Sequence, residues 1–463
     1  MRILYAQFSN SLVGSIARRR SAVMWPRRFS TSPQPRDSHG ALHGIKVLDM
    51  SRVLAGPFCT QILADYGADV TKVEQPGQGD DTRYWRVDGE TATWGKEDKM
   101  SYYFAAVNRN KRSITLDIKH EEGRKILLEL VKESDILYAT RNEILAKVCL
   151  LTLVLDSDSV ENFIPDKMEQ FGLGYDTLAK LNPSLIYASI SGYGAEGPYS
   201  KRAGYDIIAA AEAGLLHITG ERNGPPTKPG VALTDISTGL YTHGAILAAL
   251  QARHRTGRGQ KIESSLFETQ LSLLTSVATV WLNMKKEATR FGTEHPSIVP
   301  YAAFKTRDSW IVCGAVNNRQ FKNLVGLLGC GVVGEDERFG TNDKRIENRN
   351  ALKGILDECF ATKTTEEWLN ALEGSGMPYG PINDMEHSFK HPQVEARNMV
   401  KEVAFEALVG GKLKTVGVPV KFGETKASIR TRPPLLGEHT EEILREIGTK
   451  DDMIEWLQKN GVV

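Results

Sequence analysis

Between residues 45 and 265, short β-type runs alternate with helical patterns, and this alternation limits the fold more than any other feature. Ile45–Met50 has the pattern of a buried strand, and Pro57–Tyr66 has that of a helix. Further strand patterns and then helix patterns occur at Asp69–Glu74, Ser113–Asp117, Leu185–Ser191 and Gln260–Ser264, and at Glu121–Glu133, Tyr205–Leu215 and Asp235–Arg253. Such alternation predicts an α/β domain with a parallel sheet and helices on both faces.

After residue 288 the predicted elements change to shorter strands, such as Trp310–Gly314, and amphipathic helices. We therefore predict a large α/β domain at residues 42–288 and a smaller α+β domain at residues 289–392. A C-terminal segment, residues 393–463, is expected to return to the large domain. It is broken at Pro433–Gly437, before a last pair of helices.

Residues 1–36 have the composition of a mitochondrial transit peptide. They contain seven arginines and six serines, but no lysine and no acidic residue. The alternative is a basic arm that binds nucleic acid. Without the seven arginines the formal net charge falls from +1 to −6, whereas a nucleic-acid binder usually keeps its positive charge on the folded domain. The composition predicts delivery to the mitochondrial matrix and no nucleic-acid partner.

Cysteine spacing and hydropathy disfavour two other classes of protein. The five cysteines form no C-x-x-C pair and have no metal-ligand spacing with histidine, which argues against structural zinc and a disulfide framework. The longest apolar stretch, Leu271–Met284, has 14 residues, whereas a membrane-spanning helix needs about 20. We expect no metal and no membrane association.

Asp235 is the most informative single residue. The apolar stretch Gly230–Leu233 delivers it to the start of a predicted helix, where an aspartate is most simply an N-cap that accepts free backbone N–H groups. The same surroundings favour the ionised carboxylate, which would then be available as a nucleophile at neutral pH. Gly239, one turn further on, would allow a ligand or another backbone to approach closely.

A series of segments favours the second interpretation. They read G-I-K-V-L-D (44–49), A-G-P (55–57), K-V-E (72–74), N-K-R-S-I-T-L-D (110–117), V-E-N-F (160–163), I-S-G-Y-G (190–194), T-G-R-G-Q (256–260), G-P-I (380–382) and P-L-L-G-E-H-T (434–440). In this order they resemble CoA-transferase family III, which includes formyl-CoA transferases, carnitine-CoA transferases and acyl-CoA racemases. The resemblance implies that family's fold and its interlocked homodimer.

The resemblance also implies a function. Asp235 would attack an acyl-CoA thioester and pass CoA to a second carboxylic acid through an aspartyl-CoA thioester. This chemistry needs no metal or redox cofactor, because coenzyme A enters as part of the substrate. The segment 292–301 replaces the glycine-rich loop of the formyl-CoA enzymes and is similar to the branch that transfers CoA from succinyl-CoA to glutarate. The far carboxylate of a dicarboxylate would need a cation, and we consider Arg202, Arg290 and His295.

The CoA and substrate contacts implied by the resemblance are Leu54, Ala55, Leu116, Lys119, Asn162, Phe163 and Tyr205. Core packing is the competing explanation for the three small or apolar side chains, since family contacts there run largely through the backbone. Lys111 and Arg112 are candidate partners for the phosphates. Gln75 and Gln170 stand where the family has arginines, so the resemblance leaves the phosphate-binding cations open.

A racemase that acts on 2-methylacyl-CoA is the first alternative. That branch uses a histidine in a G-H-D motif as an acid/base group, and here the motif reads Gly204-Tyr205-Asp206. Tyrosine, with a reference pKa of about 10, is a poor base near neutrality, which favours CoA transfer. A nicotinamide dehydrogenase is disfavoured because no G-x-G-x-x-G follows the first strand.

An inactive CoA-binding isoform is the second alternative, because Leu137 is separated from Val160 by an insertion of 22 residues, 138–159, relative to the family pattern. The insertion contains the apolar run Val148–Leu155, which is an aggregation hazard if it is exposed. We expect its deletion to raise soluble yield and CoA affinity.

Overall fold

A computed structural model describes residues 40–97, 99–140, 168 and 171–463. Its centre is a parallel sheet of six strands in the order β3-β2-β1-β4-β5-β6. The strands are β1 Lys46–Met50, β2 Asp69–Glu74, β3 Lys111–Thr115, β4 Ile136–Thr140, β5 Ile186–Ser191 and β6 Lys261–Ser265. The predicted parallel sheet is thus confirmed.

Both faces of this sheet are covered, so β1, β2 and β5 are buried along almost their whole length. Alternate residues enter different buried clusters: Leu48 and Leu137 lie in one cluster, and Val47 and Ile136 lie in the other. The helices of this part are α1 Ala55–Asp65, α2 Tyr102–Val107, α3 Glu121–Lys132, α4 Tyr175–Leu181, α5 Asp206–Glu212, α6 Leu215–Ile218, α7 Leu233–Thr256, α8 Leu266–Leu273 and α9 Thr275–Met284. Short 3₁₀ helices occupy Asp81–Tyr84 and Glu90–Thr93.

A smaller antiparallel sheet, β7-β8-β9, follows in the chain and has a hydrophobic core of its own. Phe304, Phe360 and Trp368 are fully buried at its centre. The elements are β7 Tyr301–Lys305, β8 Trp310–Gly314, α10 Asn318–Leu327, α11 Asn342–Glu347, α12 Arg349–Phe360, α13 Thr365–Leu372 and β9 Tyr379–Pro381, with 3₁₀ helices at Gly331–Glu335 and Glu337–Phe339. The second, smaller α+β part expected from the sequence is therefore present.

The last residues add an antiparallel ribbon and two helices. Ile443 and Ile454 share a buried cluster with Leu48 and Ile114 of the large sheet, so the C-terminal helices pack on that sheet. The elements are α14 Met385–Phe389, α15 Pro392–Ala396, β10 Val400–Ala404, β11 Lys412–Val416, α16 Thr440–Glu446 and α17 Asp451–Lys459. The boundaries 42–288, 289–392 and 393–463 stay predictions.

Strand β4 changes the interpretation of the insertion. Tyr138 is fully buried, and it pairs with Asp49 on one side and Ala188 on the other. The start of the insertion at residue 138 is wrong in this respect, since residues 138–140 complete a central strand. Residues 141–159 lie outside the described residues.

Within residues 40–97, 99–140 and 171–463, no helix is both long enough and apolar enough to cross a lipid bilayer.

Candidate active site

The carboxyl ends of the six parallel strands form one edge of the sheet. Strand order reverses between β1 and β4, and in open α/β sheets ligands bind outside the strand ends at such a switch point. Four residues separate the end of β1 from the start of α1, and the N-terminal half of α7 lies against α1. The predicted nucleophile Asp235 is in the first turn of α7.

Asp235 does not cap its helix. The N-cap position of α7 is Ala232, so the N-cap interpretation is wrong. The free backbone N–H groups are bonded from another helix: Oδ1 of Asp206, at the start of α5, accepts the N–H of Thr234 at 2.8 Å and that of Asp235 at 3.1 Å. Because this capping is supplied from outside, the Asp235 carboxylate is not used in holding the helix end.

The electrostatics of Asp235 also differ from the prediction. Burial, and then the charge of Asp206, raise the pKa of Asp235 to about 7. In the described part of the chain the carboxylate has neither a cation nor a hydrogen-bond donor as partner. The expectation that its surroundings favour ionisation is therefore wrong, because desolvation and a neighbouring acid outweigh the helix terminus. At neutral pH the group is poised between its two protonation states.

Helix α1 approaches α7 closely at Gly239. A Cβ atom on Gly239 would lie 2.6 Å from the carbonyl oxygen of Ala55 and 3.4 Å from the backbone nitrogen of Cys59. The predicted close approach of another backbone is thus confirmed. Leu54 packs in a small apolar cluster with Ile236, next to Asp235. Leu54 and Ala55 are both buried, and the start of α1 lies against the helix that carries Asp235.

Buried charges fix the turn between β1 and α1. Val53 has φ +70°, a left-handed conformation that β-branched residues rarely adopt. Its N–H donates to Oδ1 of Asp80 at 3.2 Å, and the Lys72 ammonium donates to the carbonyl oxygen of Ser51 at 2.7 Å. Lys72 and Asp80 are themselves paired at 2.9 Å with no exposed surface. This turn therefore presents Leu54 to Asp235 in one enforced conformation.

Tyr205 is the residue immediately before α5. Its loop lies against the end of β5, where a Cβ atom on Gly192 would come within 2.7 Å of the Gly204 Cα, so both glycines are needed for the contact. Burial first, and then the charges of Asp81 and Asp235, raise the pKa of Tyr205, with Arg52 opposing them. The half-buried phenol is thus in the electrostatic surroundings of Asp235.

Tyr103 and Asp206 also lie near Asp235, and neither was predicted from the sequence to be a site residue. Tyr103 lies in the electrostatic surroundings of Asp235: burial, and then the charges of Asp235 and Asp206, raise the pKa of Tyr103. Its ring meets the ring of Trp85 edge to face, with centroids 5.4 Å apart. No sequence signal marks Tyr103, whereas Asp206 was visible as the last residue of the G-Y-D motif.

A cleft lies across the ends of β1, β2 and β3. It has about 730 Å³ of empty space, and its walls include Arg52, Gln75, Leu116, Lys119 and Phe171. Leu116 is buried and Lys119 is exposed. The structure therefore brings Leu116 and Lys119 to one cleft, and Leu54, Ala55 and Tyr205 to the surroundings of Asp235. Asn162, Phe163 and Gln170 lie outside the described residues.

Lys111 is wrong as a candidate phosphate partner. It is fully buried, and its ammonium donates to Asp49 at 3.0 Å, to Asn108 at 2.9 Å and to the carbonyl oxygen of Pro57 at 3.0 Å. Arg112 forms ion pairs with Asp69, Glu442 and Glu446. Both cations are therefore committed to holding the fold.

The candidate cations for a far carboxylate have local partners. Arg202 pairs with Glu212 at 2.7 Å, and Arg290 donates to the carbonyl oxygen of His217 at 2.8 Å. The Nδ1 atom of His295 accepts the N–H of Ser297. Across residues 40–97, 99–140 and 171–463, no group of three or more histidine, cysteine, aspartate or glutamate side chains is arranged to hold a metal.

Comparison with known proteins agrees with this geometry. The chain is 54% identical to an acyl-CoA transferase of Fusarium pseudograminearum, over 92% of this chain and 89% of that protein. It is 44% identical to the human succinyl-CoA:glutarate CoA-transferase, over 91% and 90% of the two chains. The crystal structure of a CAIB/BAIF family protein from Brucella suis superposes with a TM-score of 0.74 at 37% identity, over 88% and 100%. Residues 42–440 match the model of CoA-transferase family III, and the chain belongs to this family.

Proposed function

We propose that this CoA-transferase moves CoA from succinyl-CoA to glutarate or a related dicarboxylate, through a thioester formed on Asp235. The proposal rests on the environment of Asp235, a desolvated carboxylate that has no cation partner among the described residues and lies in the helix that packs against the start of α1. A carboxylate with a pKa of about 7 is more basic than an exposed one, and it has little bound water to lose when the substrate binds. The name of the human relative supports succinyl-CoA and glutarate as substrates, and that of the Fusarium relative supports acyl-CoA transfer.

The proposed chemistry is a series of acyl exchanges. A carboxylate oxygen of Asp235 attacks the succinyl-CoA carbonyl carbon, and the C–S bond breaks to give a mixed anhydride and CoA thiolate. The thiolate attacks the Asp235 carbonyl carbon and expels succinate, which leaves the aspartyl-CoA thioester. Glutarate attacks this thioester, and the thiolate returns to the glutaryl carbon. Asp235 regains its carboxylate, so no metal, redox cofactor or net proton is required.

Intact-mass analysis after incubation with succinyl-CoA tests the intermediate. Hydroxylamine should convert an aspartyl thioester to a hydroxamate, and peptide mapping should locate it on Asp235. Asp235→Asn should give no adduct, while Asp336→Asn, at a partly exposed site in the smaller α+β part, is the matched control and should label fully. A modification on another residue, or none in the native protein, would contradict the proposal.

The racemase alternative loses support from the high pKa of Tyr205. A base that holds its proton above pH 10 removes a C2 proton from an acyl-CoA slowly at neutral pH. We therefore expect no deuterium wash-in at C2 of a 2-methylacyl-CoA. Rapid wash-in would show that Tyr205 or a neighbour is a competent base.

Two deletions test the inactive-isoform alternative. Removing 138–159 joins Leu137 to the V-E-N-F segment but exchanges the fully buried Tyr138 for Val160. Removing 141–159 keeps Tyr138 and the strand. We expect both deletions to raise soluble yield and CoA affinity because both remove the apolar run, with the larger gain for the deletion of 141–159, which keeps residues 138–140 of the central strand. Equal solubility, melting temperature and activity of all three proteins would identify a harmless loop.

We further propose that the enzyme is a mitochondrial homodimer. The arginine-rich composition of residues 1–36 supports matrix delivery, and a reporter fused to these residues should be imported and shortened. Helix α9 has no buried residue although it is apolar, with Trp281 45% and Leu282 65% exposed. Such a face is typical of an interface. Trp281→Glu should shift the mass in solution from dimer to monomer.

A further inference from the structure

Asp235 is held in place by its neighbours rather than by its own side chain. Among the described residues, its carboxylate has no hydrogen-bond donor and no cation as partner. Such partners would stabilise the charge and weaken the carboxylate as a nucleophile. A nucleophile must still be placed accurately, because an error of about 1 Å can cost roughly 100-fold in rate. The residues that fix the backbone beside Asp235 therefore bear on the reaction.

Thr234 anchors the first turn of α7. Its N–H donates to Oδ1 of Asp206 at 2.8 Å, and its carbonyl oxygen accepts the hydroxyl of Thr238 at 2.8 Å. Its own hydroxyl donates to Oε1 of Gln270, also at 2.8 Å. Thr234 has no exposed surface. Side chains from α5, α7 and α8 thus fix the residue that precedes Asp235.

Gln270 connects this turn to the large sheet. It lies in the second turn of α8, which begins directly after β6. The N-cap Ser265 accepts the N–H of Glu268 at 3.2 Å, and the N–H of Phe267 donates to the carbonyl oxygen of Gly192, just past β5, at 3.0 Å. The start of α8 is therefore bonded at the ends of two strands. A group carried on such a rigid element can set the position of another group accurately.

The stability of the fold does not account for a glutamine at position 270. Gln270 is fully buried, and its Nε2 has no hydrogen-bond partner within the part of the chain that the structure describes. An unpaired buried donor lowers stability, whereas an apolar side chain of similar size brings no such donor. Groups that break a local rule in this way are expected at functional sites. Because neither Gln270 nor Thr234 has exposed surface, direct contact with a ligand does not explain them either.

We propose that Gln270 is a positioning residue for CoA transfer. Its bond to Thr234 fixes the first turn of α7 relative to the large sheet and so holds Asp235 at its point of attack. The proposal goes beyond the proposed function and rests on it for the role of Asp235. Both bonded groups are neutral, so the bond acts through geometry and not through charge. Gln270 therefore affects the rate constant of attack and leaves the affinity for CoA unchanged.

Single-turnover formation of the adduct separates positioning from stability. The native enzyme, Gln270→Leu and Thr234→Val are mixed with excess succinyl-CoA, and the adduct is followed by intact mass. Unfolded protein lowers the amplitude of this reaction, whereas a misplaced nucleophile lowers its rate constant. Both variants should lower the rate constant roughly 10- to 100-fold, with Kd for CoA unchanged by calorimetry. Thr234→Ser keeps the hydroxyl and should lose less. Gln251→Leu makes the same exchange on the exposed face of α7, and this matched control should react at the native rate.

The double variant Thr234→Val/Gln270→Leu sharpens the test. Replacing both partners by apolar groups leaves neither of them unpaired, so the melting temperature should recover relative to the less stable single variant. The rate constant should stay low, and no lower than in the slower single variant, because the two residues act through one bond. Recovery of the rate constant together with the melting temperature would show that the bond is purely structural.

Other outcomes would also overturn the assignment. Native rate constants in the folded single variants, with only the amplitude reduced, would remove Gln270 from the reaction. A raised Kd for CoA would assign it to binding instead. The Thr234 variants and the double variant carry the test if Gln270→Leu does not fold. Absence of an adduct in the native enzyme would refute the proposed function itself, whereas a native adduct with unaltered variants would refute the positioning role alone.

Discussion

Two buried aspartates of the same domain have opposite electrostatic environments. Burial alone would raise the pKa of Asp49, but Lys111 and Lys72, together with hydroxyl donors, lower it to about 2. Asp235 has no such partners among the described residues, and burial and the charge of Asp206 raise its pKa to about 7. Lys111 connects Asp49 to the first turn of α1, and Asp235 lies in the first turn of α7, which packs against α1. Burial alone therefore does not set the charge of an acid, because neighbouring charges can reverse its effect.

The difference distinguishes a structural carboxylate, Asp49, from the carboxylate that we propose as the nucleophile, Asp235. Asp49 is fully ionised at neutral pH, bound by lysine and hydroxyl groups, and so it is unavailable to a substrate. The ionised form of Asp235 is destabilised by burial and by Asp206, and a covalent bond to an acyl group would remove that charge.

The largest expected effect is on turnover. Asp235→Asn removes the nucleophile but keeps the size of the side chain, and loss of a catalytic nucleophile typically costs roughly a thousandfold or more in kcat. Succinyl-CoA and glutarate turnover by the variant and the native enzyme measures the ratio. Residual activity within tenfold of the native enzyme would place Asp235 with Asp49, as a structural acid.

The second effect is on folding. Lys111→Met leaves Asp49 as a buried charge without its nearest cation, and breaking a buried pair in this way costs about 3–5 kcal/mol of unfolding free energy. Urea unfolding at pH 7 measures this loss. Lys125→Met, on the exposed face of α3, is the control and should cost less than about 1 kcal/mol. Equal stability of the two variants would show that Asp49 does not depend on Lys111.

The third effect has the opposite sign. The folded-state pKa of Asp235 is raised from 3.8 to about 7, so ionisation costs stability progressively as pH rises through that window and the cost is constant above it. Asp235→Asn avoids the cost, and we expect it to be about 2 kcal/mol more stable than the native protein at pH 8. The advantage should shrink toward pH 4. Asp49, whose folded-state pKa is lowered, loses its stabilisation instead as pH falls below 3.8.

The smallest effect is on the pH profile of adduct formation. The carboxylate is the reactive form, so the single-turnover rate should rise with pH with an inflection near 7. Asp206→Asn removes the repelling charge but keeps an oxygen that accepts the N–H groups of Thr234 and Asp235. It should move the inflection down by roughly one pH unit. An unchanged inflection would attribute the raised pKa to burial alone.

Local patterns in the sequence were sufficient for much of the fold. The bounds of β2 and β8 agree with their predicted ranges, because each is an extended run next to turn-forming residues. Helix α7 begins two residues earlier than predicted, because its cap comes from Asp206, 29 residues before Asp235 in the chain. Tyr138 was assigned to an insertion because the family pattern has another residue there, although its aromatic ring suits a central strand.

The chemistry of the site was less accessible from sequence. Asp235 was identified by resemblance, and the structure places Leu54, Ala55 and Tyr205 near it. The sign of its pKa shift was wrong, because desolvation depends on how α1 and α5 pack around it. The burial of Lys111 was also missed, since its partner Asp49 is 62 positions away. Such long-range pairing has no local signature.

The contact at Gly239 has a consequence for how this enzyme can change over evolutionary time. Helices α1 and α7 can pack this closely because residue 239 is a glycine and has no Cβ atom. A methyl group at this position would displace the Ala55 carbonyl. New acyl specificities can arise by exchanging residues around Asp235, such as Tyr103 or Tyr205. The spacing of the two helices offers no such freedom. Substitutions in the walls of the site should therefore be tolerated far more readily than any substitution at Gly239.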